Sequence, residues 1–112
     1  MDIRVRQALR LMSRDLSHPL NLKDVARAVS LSTPRLRYLC KAETGMTPAR
    51  YLKAMRMQEA RRLLETTFLS VKQVAAEIGI RDVSHFVRDF KKAYGLTPTQ
   101  HREQQTLDKT HT

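Results

Sequence analysis

The sequence predicts an all-α fold of seven helices, arranged as two helix-turn-helix subdomains joined by a long central helix. Three observations lead there. Apolar residues recur at helical spacing. Gly and Pro punctuate the chain at regular places, always beside a capping residue. The second half of the chain repeats the first.

Taken in order, Met1 to Leu16 carries Val5, Leu9, Met12 and Leu16 on one face of an amphipathic helix that ends near His18-Pro19. Asn21, with Asp24 three residues on, opens a short helix over Leu22 to Val29. A tight turn follows at Ser30-Leu31-Ser32, then Ser32 or Thr33 caps a helix that tolerates Pro34 in its first turn. Gly45 closes that helix in the left-handed conformation. Thr47-Pro48 opens the longest helix, to about Thr66, and Ser70 with Gln73 forms a capping box for a short helix to Glu77. Gly79 makes the next turn, Asp82 caps a helix to Tyr94, and Gly95 ends it. Thr97-Pro98 opens a last helix that is expected to fray near Gln104. The domain is therefore placed at residues 1–104, with helix-turn-helix units near 22–45 and 70–95 and a linker helix near 48–66. A disordered polar tail is expected over 105–112.

A chain of 112 residues with 41% apolar content can bury roughly two-thirds of its unfolded surface without staples. Aromatics are only 5% and Trp is absent, so the core must be aliphatic. Lys and Arg number 21 against 11 Asp and Glu, a formal charge of +10. That excess argues against an acidic buffer or a charge-balanced enzyme and calls for a polyanionic partner. Cys40 is the single cysteine and cannot form an internal disulfide, which fits a reducing, cytoplasmic setting. The longest apolar run is three residues, as at Val74 to Ala76, so no membrane span or secretory apolar segment is expected.

Enzyme motifs fail. Gly45, Gly79 and Gly95 stand too far apart to cradle a phosphate. His18, His85, His101, His111 and Cys40 show no metal-ligand spacing, and no serine sits in a nucleophile elbow. No cofactor, metal or catalytic residue is expected.

The repeat carries the most information. Gly45-Met46-Thr47-Pro48 matches Gly95-Leu96-Thr97-Pro98, and Leu36, Cys40 and Lys41 match Phe86, Phe90 and Lys91, all at a period of 50. Upstream the register shifts by one, Val25-Ala26 matching Val74-Ala75 and Val29-Ser30-Leu31 matching Ile78-Gly79-Ile80. Each half is a short helix, a turn of three or four residues, and a longer helix, which is the helix-turn-helix unit. The alanine lets the two helices cross closely.

At about 100° per residue, Leu36, Leu39 and Cys40 cluster inward while Pro34, Tyr38 and Lys41 point outward, flanked by Arg35 and Arg37. In the second unit Val83, Phe86 and Phe90 point inward, and Ser84, Arg88 and Lys91 outward, flanked by His85 and Lys92. Both outward faces carry donors for phosphates and base edges. A charged helix face is usually just solvated; the same polarity at the same place in both units favours binding.

The segments LSTPRLRYLCKAETGMTPARYL, RMQEARRLL and SVKQVAAEIGIRDVSHFVRDFKKAYGLTPTQHR resemble the DNA-binding domain of the AraC/XylS family of bacterial transcription regulators, over roughly Leu9 to Arg102. The resemblance implies seven helices, with two helix-turn-helix subdomains on a central helix, and base reading by the outer residues of both recognition helices. By position these are Pro34, Arg35, Arg37 and Tyr38 in the first unit and Ser84, His85, Val87 and Arg88 in the second, with Lys41, Lys91 and Lys92 serving phosphates and Thr33 meeting either a base or a phosphate. It also implies RNA polymerase as a partner, a role as activator, and a separate effector-binding, dimerising domain in the whole regulator. Four positions depart from the family pattern: Tyr38 stands where an arginine is usual, Cys40 and Ile80 where phenylalanines are, and His101 where a tyrosine is. The apolar exchanges change core volume and should leave the fold intact. Arg37, beside Tyr38, can substitute for the missing arginine, and Pro34 offers only van der Waals contact.

Cys40 reads as a small core residue rather than a redox sensor, because its face is the buried one. His85 reads equally as a surface residue or a DNA contact. Arg56 lies on the apolar side of the long helix and reads as structural. That helix, at ~1.5 Å per residue, spans roughly 28 Å, close to the ~34 Å between successive major grooves on one face of B-DNA. One chain can therefore occupy an asymmetric duplex site of about 20 base pairs, two helical turns. A nonspecific architectural protein would share the charge without needing two matched reading heads, and a basic membrane-surface protein would expose its apolar stripes. The chain starts almost at the domain edge, which favours a piece of a larger regulator over the natural start of a short stand-alone one. A nucleoid-associated, cytoplasmic location follows from the DNA reading.

Overall fold

The computed structural model describes residues 2–111; the expected helix start at Met1 and the tail's last residue, Thr112, lie outside them. The described residues form seven helices: α1 (Ile3–Arg14), α2 (Leu22–Ala28), α3 (Thr33–Thr44), α4 (Pro48–Thr66), α5 (Val71–Glu77), α6 (Val83–Tyr94) and α7 (Pro98–His111). They contain no strand. The side chains expected to cap do so. Asn21 accepts from the Asp24 N–H, Ser32 from Arg35, Asp82 from His85, and Ser70 and Gln73 form a reciprocal box. Thr97 and Gln100 form a second such box at the start of α7. At α1 the cap is Asp2, whose carboxylate accepts from the Arg4 N–H.

The chain divides into two compact units, Met1–Met55 and Arg56–Thr112. In the first, α1, α2 and α3 touch one another. Val5, Leu9, Met12, Cys40 and Leu52 form one buried cluster, and Ala8, Ala26, Val29 and Leu36 another. In the second, α6 packs on α5 and α7, and Met57, Ala60, Leu63, Leu64, Val74, Ala75, Ile78, Phe86 and Phe90 form a single core. The core is mostly aliphatic, but its two largest fully buried side chains are Phe86 and Phe90, which the expectation of an aliphatic core did not include. Ala26 and Ala75 are the buried small residues of the short helices α2 and α5.

The one-residue register shift has a location. In both units the residue after the turn donates its N–H to the buried alanine, Leu31 to Ala26 and Ile80 to Ala75, each at 2.9 Å. The caps of the following helices, Ser32 and Asp82, are already on the period of 50. The added residue is Arg81, between Ile80 and Asp82.

One boundary differs from expectation. α7 continues to His111, past the fraying near Gln104 and through most of the segment expected to be disordered. No glycine or proline follows Pro98, so no residue stops the helix, and Thr106 Oγ1 donates back to the Arg102 carbonyl.

Candidate nucleic-acid interface

α3 follows the turn at residues 29–32 and is held from behind. Leu36 is packed among Ala8, Ala26 and Val29, and Cys40 among Val5, Leu9, Met12 and Leu52. Burial pushes the Cys40 thiol above its ordinary pKa, as befits a core residue. With positions 36 and 40 inward, helical geometry turns Pro34, Arg35, Arg37, Tyr38 and Lys41 outward, and all five are exposed; Thr33, in the first turn, is half-buried. The Arg35 guanidinium carbon stands 5.4 Å from the centroid of the Tyr38 ring. Tyr38, Arg37 and Lys41 also line a hollow of about 390 Å³ with Ala42 and Thr47.

α6 is built the same way. Phe86 and Phe90 are fully buried and meet edge to face at 5.9 Å. Ser84, His85, Arg88, Lys91 and Lys92 are exposed, and Val87 is half-buried. His85 Nε2 lies 3.1 Å from Asp89 Oδ2, so this histidine is engaged along its own helix.

Each outward helix carries three cations against one carboxylate, Arg35, Arg37 and Lys41 with Glu43, and Arg88, Lys91 and Lys92 with Asp89. Glu43 Oε1 accepts from the Asp2 N–H at 3.1 Å, and Asp89 is mostly covered and paired with His85. The cations therefore dominate both faces, which suits a polyanion. The Thr33–Lys41 set lies in the first unit and the Ser84–Lys92 set in the second.

His101, which packs on α6, and Arg102, which holds the end of α4, make contacts that carry no signal in the sequence. His101 packs its ring on Phe90 at 5.6 Å and places Nε2 3.0 Å from Glu65 Oε1. Arg102 donates to the carbonyls of Leu64, Thr67 and Leu69, at 3.2, 3.3 and 2.6 Å, and so satisfies the end of α4 and the connection after it. These contacts with Glu65 and the end of α4 span more than 30 residues of sequence and leave no local pattern. Arg56, read as structural, is half-buried on α4.

A short helix, a turn and a longer helix with an exposed basic face define a helix-turn-helix protein. Known proteins sharpen this. A helix-turn-helix domain model matches residues 25–104, and the chain belongs to the AraC-type family of DNA-binding transcription regulators. It is 35% identical over 100 residues to the HTH-type transcriptional activator RhaS of Pectobacterium carotovorum, covering 89% of this chain and 36% of that protein. It is 33% identical over 103 residues to the arabinose operon regulatory protein of Escherichia coli, covering 91% and 35%. A crystal structure of an AraC-type transcriptional regulator from Chromobacterium violaceum superposes with a TM-score of 0.87 at 29% identity, over 92% of each chain. The chain thus spans about a third of the length of the curated relatives it matches. The family is one of DNA-binding regulators, not of enzymes. No helix among the described residues is long and apolar enough to cross a membrane.

Proposed function

We propose that the chain reads a specific sequence of double-stranded DNA with the outward faces of α3 and α6, each laid in a major groove, and thereby targets a transcription regulator. The observation that carries this is the repetition of one design: a capped helix whose buried side is fixed by a core and whose exposed side is basic. Pro34, Arg35, Arg37 and Tyr38 form the surface of the first head toward the base edges, with Thr33 beside them meeting a base or a phosphate; Ser84, His85, Val87 and Arg88 form that of the second. Lys41, Lys91 and Lys92 meet phosphates. Two different heads on one chain suit an asymmetric site of about 20 base pairs, two helical turns, with the heads in adjacent grooves.

The regulator acts as an activator working with RNA polymerase in the bacterial cytoplasm, a reading supported by RhaS being a transcriptional activator. The extra length of the relatives supports a separate effector or dimerisation domain in the whole protein. The test is selection from random duplexes followed by competition. A single enriched asymmetric site that random DNA displaces at least about a thousandfold less effectively supports the reading. Equal competition by random DNA would identify a nonspecific architectural protein instead.

A further inference from the structure

Tyr38 is an exposed ring, 64% accessible, on the outward side of α3. Its ring contact is with its own helix, through the guanidinium of Arg35 one turn earlier. The positions answering to these two in the second unit, at the period of 50, are His85 and Arg88. Each pair sets a planar ring and a guanidinium three residues apart, in opposite order. Tyr38 occupies the place where the family pattern has an arginine, so α3 lacks a guanidinium where α6 presents Arg88.

We propose that Tyr38 is a positioning residue for Arg35, so that the first reading head presents its guanidinium through Arg35, one turn nearer the helix start than Arg88 stands on α6. This rests on the DNA reading above. Arg35 is the third residue of α3, in the N-terminal part of a recognition helix that reaches base edges. A guanidinium held over a ring by its charge keeps its N–H donors free to pair with two acceptors of a guanine. The ring also restricts in advance the rotamers that a free arginine would give up on binding. Tyr38 thus replaces the family's reader with a support for a neighbouring one.

The test measures the affinity of the whole chain for its selected site and for a panel carrying every single-base change. Arg35→Ala is expected to lower preference at one base pair by roughly fivefold or more. Tyr38→Ala should lower preference at that same base pair by about two- to fivefold, the worth of an exposed cation–π contact, and Tyr38→Phe should keep it. In the Arg35→Ala background, Tyr38→Ala should add nothing at that position. Helicity and melting should hold in all variants, since both side chains are exposed. Relaxation at a different base pair, multiplication of the two effects, or Tyr38→Phe behaving like Tyr38→Ala would overturn the proposal. If Arg88→Ala relaxes a base pair while Arg35→Ala relaxes none, this proposal fails and the functional reading stands. No preference in the unaltered protein overturns both.

Discussion

Ser30 holds in the first turn the left-handed backbone that Gly79 holds in the second: φ is 58° at Ser30 and 79° at Gly79. Both residues precede the N–H that closes the turn onto the buried alanine. Left-handed backbone costs a residue with a Cβ roughly 1–2 kcal/mol, and glycine avoids that cost.

Substitutions at the two positions should therefore act in opposite directions. Gly79→Ala is expected to lower stability by roughly 1–2 kcal/mol. Ser30→Gly should raise it by at most about 1 kcal/mol, because the freer unfolded glycine offsets part of the gain. Urea denaturation of the two variants checks this; a Ser30→Gly protein less stable than the parent contradicts it.

Arg102 should matter more than its half-buried place suggests. Arg102→Ala leaves three carbonyls around the end of α4 without their donor and is expected to cost about 2–3 kcal/mol. Arg102→Lys should recover little, because one ammonium cannot reproduce the fork that reaches all three. Denaturant midpoints for the two variants decide it; full rescue by lysine would show that charge alone matters.

The Glu65–His101 contact predicts an acid-side loss of stability. Burial raises the Glu65 pKa, but hydrogen bonds from His101 and Arg61 outweigh it and hold the carboxyl below its ordinary value of 4.5. A carboxylate depressed on folding contributes stability that is complete above its unfolded pKa and vanishes as pH falls through the folded one. Melting temperature should therefore drop below about pH 4.5 more steeply in the parent than in Glu65→Gln, which starts about 1 kcal/mol less stable at neutral pH. Parallel profiles would show that the pair contributes nothing on ionisation.

Salt should weaken DNA binding strongly. If about six to eight basic side chains meet phosphates, log K against log salt should slope roughly −5 to −7, at about −0.9 per phosphate. A slope shallower than about −2 would mean that the charge is not spent on DNA.

Much of this fold is legible in the sequence because its helix starts are written in single side chains. Ser32 and Asp82 cap, and Gly45 and Gly95 close, the two helices that carry the proposed interface. The inward residues follow from spacing alone, since Leu36 with Cys40 and Phe86 with Phe90 each lie four apart. The extent of α7 is not legible, because a helix with no breaker leaves no mark at its end. Arg102 and the Glu65–His101 pair are invisible for another reason: their partners are brought near only by the fold. The Arg35–Tyr38 pair lies between, its spacing visible and its side-chain conformation not.

Base reading by the outward face of α6 is the central claim, and Arg88 stands at the centre of that face, one turn after Ser84 and one before Lys91. The most direct measurement is the affinity of Arg88→Ala for the selected site and for each single-base variant of it. The expected result is a weakening of ~1–3 kcal/mol on the selected site, relaxed preference at one base pair, and unchanged melting. An affinity for the selected site equal to that of the parent, with helicity and melting intact, would contradict it.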